Sequence, residues 1–251
     1  MKTKKIFKII MRLFFAIVFI AIITIAGFKQ NEVVCNKIVV NITDKNEVKF
    51  ISEKDVRSIM QNGKNGVLTN KKISSLDLKE LEEILEKNAF IDNAEVYSNF
   101  DGAIQIDVVQ KKPLYRIINN KNVSYYISDK SYKVPLSTNF TPRLILATGF
   151  IPNKDDISKD LVNIQLNKLI KHIKSDAFWD AMITQVEVKA NGDFVLIPKI
   201  RGHTVLLGTT EDLESKFSKL KIFYQKALKK TDWEQYKEIN LKYKGQLICS
   251  K

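Results

Sequence analysis

At 251 residues and 45% hydrophobic, the chain has room for one large or two small domains with a real core, which excludes a disordered or low-complexity class. Its net charge of +13 divides unevenly: Lys2, Lys4, Lys5, Lys8 and Arg12 precede Leu13, with no acid before Glu32, and the remainder carries 36 basic against 28 acidic residues. Those charges are interspersed, with no arginine-rich run, zinc spacing or basic-aromatic motif, so a solvated mixed-charge surface is favoured over nucleic-acid binding, and an excess of positive charge suits anionic envelope surfaces.

The first element is Leu13 to Phe28 (LFFAIVFIAIITIAGF), which carries no charge and only Thr24 as a strong hydrogen-bonding side chain. As a helix it spans roughly 24 Å, a little short of the ~30 Å hydrocarbon layer. Counting from Ile9 brings it to about 20 residues, with Arg12 snorkelling at the end. A helix apolar on every face belongs in lipid, and the positive-inside rule leaves the basic N-terminus in the cytoplasm. A cleaved signal peptide has the same basic start and apolar core. The run is at the long end for one, and Thr24-Ile25-Ala26 is a poor cleavage site. The expectation is an uncleaved anchor: residues 1–12 a cytoplasmic tail, 13–28 the transmembrane helix (starting as early as 9), and 29–37 a linker.

Ile38, Val39, Val40 and Ile42 then form a β-branched strand, which Asn46 to Ile51 can extend after a turn at Asp44-Lys45-Asn46. Ser52-Glu53-Lys54-Asp55 starts a short helix with Val56, Ile59 and Met60 inward, ended by Gly63 and Gly66. A second helix follows Ser74 or Ser75, with Leu78, Leu81, Ile84 and Leu85 on one face and Asn88 at its end. Ile91 to Tyr97 and Ile104, Ile106, Val108 read as a hairpin around Asn99-Phe100-Asp101-Gly102. Two helices on one face of a small three-stranded sheet give a β-α-α-β-β unit.

Lys111-Lys112-Pro113 marks a boundary, because Pro cannot donate to a central ladder. Short strands follow at Leu114 to Ile118, Ser124 to Ser128, Lys133 to Leu136 and Arg143 to Thr148, the last closed by Gly149. Next come a helix from Lys159 to Lys174 and a short helix or turn from Phe178 to Met182. Strands at Ile183 to Lys189, Phe194 to Pro198 and Thr204 to Leu207 precede a long helix from Thr210 to Lys229. In Glu238 to Cys249, the residues Ile239, Leu241, Tyr243, Leu247 and Cys249 share one parity, which predicts a single half-buried final strand.

Chemistry is sparse. His172 lies in a lysine-rich helix and His203 beside a glycine turn, neither at metal-ligand spacing. Ser218-Lys219-Leu220-Lys221 fits S-x-x-K, without the companion elements of that enzyme class. Glu82-Glu83 and Asp155-Asp156 read as solvated helix and loop faces. No catalytic, cofactor-binding or metal-binding residue is assigned, and the pattern points to a binding protein rather than an enzyme. Two cysteines, Cys35 and Cys249, make no disulfide framework, and they pair only if their Cα atoms come within about 7 Å.

The order and spacing of these segments resemble the FtsQ/DivIB family of bacterial cell-division proteins across the chain. The resemblance is carried by Phe90-Ile91-Asp92-Asn93-Ala94-Glu95-Val96, Ile104-Gln105-Ile106-Asp107-Val108 and Gln110-Lys111-Lys112-Pro113-Leu114-Tyr115-Arg116. It continues in Tyr125-Tyr126-Ile127-Ser128, Val134-Pro135-Leu136-Ser137 and Arg143 to Gly149. The C-terminal half (Phe178-Trp179, Ile197-Pro198, Leu207-Gly208, Phe223-Tyr224, Ile239 to Tyr243, Gln246) is similar to Bacteroidetes-type members. The resemblance implies an α+β architecture: one N-terminal transmembrane helix, a small POTRA domain over 38–112 and a strand-rich β domain with flanking helices over 113–251.

The resemblance also implies a bitopic inner-membrane scaffold with its bulk in the periplasm, active at the division septum. Its partners there are FtsL- and FtsB/DivIC-type proteins and other divisome components, with no cofactor, reaction or nucleic acid. Members are thought to capture the FtsB-type partner at the final strand, and Tyr243 falls where their partner-contacting tyrosine falls. That makes Leu241, Lys242, Tyr243, Lys244, Gly245 and Gln246 the expected partner-binding residues. The residues alone also allow Leu241, Tyr243 and Leu247 to be plain cover for the core. If the domains are strung out as in the family, Cys35 and Cys249 are too far apart to pair within one molecule. The alternatives are a signal-anchored secreted binding protein, an envelope enzyme of unrecognised fold, and a POTRA-bearing outer-membrane transport protein. The last needs repeated units or a barrel pattern, and neither is seen.

Overall fold

The computed structural model describes residues 11–12, 14–21, 33–43, 48–62, 66–154, 156–200, 202–226 and 235–251. Residues 14–21 are helical, with Phe14, Phe15, Ile17, Phe19 and Ile20 exposed. The rest of the expected membrane segment (Leu13 and residues 22–28), linker residues 29–32 and the Asp44-Lys45-Asn46 turn lie outside the described residues. Among the described residues, no helix is long and apolar enough to cross a membrane.

The chain divides into two compact units, Met1–Gln110 and Lys111–Lys251. The first contains β1 (Lys37–Thr43), α1 (Glu53–Gln61), α2 (Leu78–Glu86), β2 (Ile91–Ser98) and β3 (Ala103–Gln110). The sheet order is β1-β3-β2, with β1 parallel and β2 antiparallel to the central strand. Ser52 starts α1 through a capping box, its hydroxyl accepting from the Asp55 amide while the Asp55 carboxylate accepts from the Ser52 amide. Asp77 starts α2 by accepting from the Glu80 amide at 3.0 Å. Val56, Met60, Leu81 and Leu85 then meet Val40, Ile42, Val96, Ile104, Ile106 and Val108 in one core.

The expected strand extension to Ile51 is not formed. Residues 48–51 are irregular, and Gln110 takes up backbone groups at both ends: its Nε2 donates to the Val48 carbonyl at 2.8 Å and its Oε1 accepts from the Ile51 amide at 3.1 Å.

The second unit is a nine-stranded sheet in the order β12-β11-β10-β9-β8-β7-β4-β5-β6. Its strands are β4 (Pro113–Asn119), β5 (Ser124–Ser128), β6 (Lys133–Val134), β7 (Ile145–Gly149), β8 (Ile183–Val188), β9 (Phe194–Pro198), β10 (Thr204–Gly208), β11 (Glu238–Asn240) and β12 (Ile248–Ser250). Three helices, α3 (Leu161–Ser175), α4 (Ala177–Met182) and α5 (Leu213–Lys226), contribute Leu166, Leu169, Ile173, Trp179, Phe217 and Leu220 to its core. Alternation along the strands sends Tyr115, Ile117, Ala147, Val186, Leu196, Val205 and Ile239 into that core. Helix α3 begins later than expected because Ile157–Lys159 forms a separate 3₁₀ turn, after which Asp160 caps the helix through the Asn163 amide at 2.9 Å. Helix α5 ends its described course at Lys226; the expected continuation to Lys229 lies outside the described residues.

The predicted single strand from Glu238 to Cys249 is corrected. The chain forms β11, reverses, and returns as β12 antiparallel to it, with Ile239 opposite Cys249. Gly245, at φ +75°, takes the left-handed conformation that the reversal requires.

Gly149 ends β7 at φ +95°, and a Cβ there would collide with the Val188 carbonyl oxygen on β8. Both the left-handed backbone and the close approach exclude a side chain. Gly149→Ala is therefore expected to cost about 2 kcal/mol or more, read as a lowered urea midpoint of unfolding.

Candidate functional site

A strand at the end of a sheet carries one row of backbone groups with no sheet neighbour, which either stays available or is blocked by the protein itself. In the three-stranded sheet, β2 is blocked. Glu82 of α2 accepts from the Val96 amide at 2.8 Å, and Glu86 accepts from the Ala94 amide at 3.3 Å. Read as a solvated helix face, Glu82 instead occupies the donor row of an edge strand.

The nine-stranded sheet ends on β12, which pairs only with β11. The residues before it, 241–247, form a pinned turn. Leu241 is fully buried in the core, and its amide donates to the Leu206 carbonyl at 2.9 Å. Lys242, itself exposed, is tied down at its tip: its Nζ donates to Asp193 Oδ2, on the β8–β9 connection, at 2.8 Å. Its stem crosses Gly208, where a Cβ would lie 2.7 Å from Lys242 Cγ. The Gln246 amide donates to the Tyr243 carbonyl at 3.3 Å, and Lys219 Nζ of α5 donates to the Gln246 carbonyl at 3.3 Å. Leu247 packs half-buried against the core.

Held at both ends, the turn lifts Tyr243 out to 55% exposure, alongside exposed Lys244, Gly245 and Gln246. Plain core cover therefore describes Leu241 and Leu247 but not Tyr243. Ile248, on the edge strand itself, is 44% exposed. The six residues singled out from the sequence thus come together in one turn, with Leu241 buried, Lys242 exposed but tied back to Asp193, and the other four exposed.

Sequence reasoning missed Ile248, Asp193, Gly208 and Lys219. Gly208 and Gly245 were the available signals, since an isolated glycine in a strand pattern marks a bulge, a turn or a close approach. The partnership of Lys242 with Asp193, 49 residues apart, had no local signal.

The S-x-x-K lysine and the two histidines are committed to structure. Lys221 Nζ donates to Asp176 Oδ2 at 2.8 Å and lies over the Phe178 ring, so the S-x-x-K lysine is held in an ion pair. His172 Nδ1 lies 3.6 Å from Glu214 Oε1 and its ring packs on Phe217, while His203 Nε2 and the Tyr224 hydroxyl are 2.7 Å apart in the core. Among the described residues, no three His, Cys, Asp or Glu side chains gather as a metal site. Cys35 is buried in the first unit and Cys249 half-buried on β12; both thiols are free, and burial pushes both up from the ordinary range. Arg116, Arg143, Lys174 and Lys199 line an open cleft of about 580 Å³ at one end of the second sheet, with Lys174 paired to Asp180 at 3.0 Å.

Residues 112–250 match a family model described as FtsQ/DivIB, C-terminal related, and residues 33–109 match one described as a POTRA-like domain. No curated protein matches the chain.

Lys242 holds the Asp193 carboxyl below the usual carboxylate range, and Asp193 in turn holds the Lys242 ammonium above its usual range. The clamp's contribution is therefore complete above the unfolded carboxylate value of about 4 and is lost as pH falls through the lower folded value. On the alkaline side it is complete below about 10 and is lost as pH rises through the raised lysine value. Asp193→Asn should speed amide exchange across Leu241–Leu247 at neutral pH, with only a small change in melting temperature because the pair is partly exposed. As pH falls through the lowered Asp193 value, the wild-type exchange rates should approach those of the variant.

Proposed function

The chain belongs to the FtsQ/DivIB family of cell-division proteins, and on that premise we propose that it is a membrane-anchored scaffold that holds a partner strand at β12. The family consists of division scaffolds without enzymatic activity. In this reading residues 1–12, with their five basic side chains, stay in the cytoplasm, Leu13 to Phe28 spans the inner membrane, and both folded units lie in the periplasm at the division septum. The partners are FtsL- and FtsB/DivIC-type proteins, and the outcome is assembly of the divisome for septal wall synthesis. The observation that carries the reading is the pairing of an unextended sheet edge with an exposed tyrosine on a pinned turn.

A partner segment would add as a further strand outside Ile248–Ser250. Tyr243 and Ile248 would supply the apolar contact, with Lys244 and Gln246 at the rim. Leu241 and Lys242 would act from behind, fixing where the turn projects. A large aromatic face with a polar tip suits Tyr243 to such a contact.

Two measurements test the reading. Carbonate-washed membranes should retain the full-length protein, whereas a soluble form beginning near Gly27 would show that the apolar segment is removed. Tyr243→Ala should weaken binding of the partner ectodomain by about 2 kcal/mol or more with a normal thermal melt, because the side chain is exposed. Unchanged affinity would remove Tyr243 from the interface.

A further inference from the structure

The turn between β2 and β3, Asn99-Phe100-Asp101-Gly102, is closed by two backbone bonds: the Asn99 amide to the Ala103 carbonyl at 2.9 Å and the Gly102 amide to the Asn99 carbonyl at 3.2 Å. Phe100, at its corner, is 89% exposed, the highest value of any large apolar residue among the described residues. The turn has no structural need of a phenyl ring there, since such corners favour Asn, Asp, Ser and Gly. Tyr97, just before the turn, is 45% exposed.

This turn is fused to the point where the chain enters the unit. The Asn36 amide donates to the Gly102 carbonyl at 2.9 Å, and the Asn36 side-chain amide donates to the Asp101 carbonyl. Gly102, at φ +84°, leaves no room for a Cβ, which would lie 2.6 Å from the Val34 carbonyl oxygen. Lys37, the first residue of β1, stands opposite Ala103, so the start of β1 and the turn share one end of the sheet. Val34 is 44% exposed at that end, and exposed Lys72 bridges to it.

Chain length then limits where this end can be. From Phe28, the end of the apolar run, to Val33 the chain reaches at most about 18 Å even when fully extended. The headgroup layer on each side of a bilayer takes up roughly 5–8 Å of that. We propose that Phe100 and Val34 lie in the headgroup interface of the membrane beside the chain's own anchor, docking the first unit on the lipid surface. Lys37 and Lys72, exposed at the same end, would direct their ammonium groups to lipid phosphates while their stems cover apolar surface. The occupant is lipid, because the short tether keeps a bilayer permanently within reach, and the interface favours an aromatic ring with flanking lysines. The proposal rests on the anchor reading of Leu13 to Phe28.

The test uses the full-length chain with Cys249→Ser, in which the buried Cys35 does not react. Single cysteines at Phe100→Cys, Val18→Cys and Lys87→Cys carry a small environment-sensitive fluorophore. Lys87 is exposed at the end of α2, away from the turn. The protein is reconstituted into vesicles with and without lipids bearing a nitroxide near the headgroup. The label at 100 should shift to the blue and lose about half or more of its emission to the nitroxide lipids, as should the label at 18, while the label at 87 should not. Quenching at 18 but not at 100 overturns the docking while leaving the anchor intact. Quenching at neither position overturns both. A blue shift at 100 that grows with protein density, without quenching by lipid, assigns the turn to a protein contact and overturns the proposal.

Discussion

Every backbone N–H and C=O that leaves water needs a partner, and a sheet that does not close on itself always ends with strands whose outer rows lack one from the sheet. That constraint organises both units. The three-stranded sheet answers it at β2 with two glutamates from the covering helix, placed in line with the Ala94 and Val96 amides. The nine-stranded sheet ends on β12, three residues long and partnered on one side. One unit blocks an edge with its own side chains, and the other ends on a short strand, itself a common limit on indiscriminate pairing.

The turn before β12 shows how local and distant interactions combine. Gly245 lets the chain reverse, Leu241 fastens one end into the core and Leu247 the other. Those contacts alone would leave the middle of the turn loose. The ion pair of Lys242 with Asp193 ties it to the β8–β9 connection, and Gly208 gives the lysine stem a channel across β10. Partial exposure keeps such a pair modest in energy, yet it fixes geometry, because the lysine cannot reach Asp193 from a turn that has swung away.

Much of this was legible in the sequence where the signal was periodic. Ile104, Ile106 and Val108 alternate cleanly, and the hairpin around Asn99 to Gly102 lies where that alternation and the turn residues place it. The β-α-α-β-β order followed from caps and amphipathic spacing, although Asp77 rather than Ser74 or Ser75 starts the second helix. Periodicity misled at the C-terminus. Ile239, Leu241, Tyr243, Leu247 and Cys249 share a parity, but the parity survives a reversal of direction, so two short strands imitate one long one. Gly245 was the local clue. Glu82 and Asp193 could not be read, because an acid on a helix or in a turn shows its partner only once tertiary register is known.

The short edge also constrains what a bound strand could contribute. Residues Ile248–Ser250 offer only a few backbone groups, and each hydrogen bond to water-accessible backbone is worth about 0.5–1.5 kcal/mol net. Association costs roughly 4 kcal/mol or more in lost freedom before any gain appears. Backbone pairing alone would leave such a complex weak, so a stable one needs apolar anchors next to the edge. Tyr243 and Ile248 are the large exposed side chains there, and burying a side chain of that size fully is worth about 1.5–3 kcal/mol. In this arrangement the edge sets the direction and register of an added strand, while the side chains decide whether it stays. Fixing the turn in advance then matters more than lengthening the strand, because a mobile Tyr243 would have to be ordered at the moment of binding, at a cost comparable to one of the hydrogen bonds.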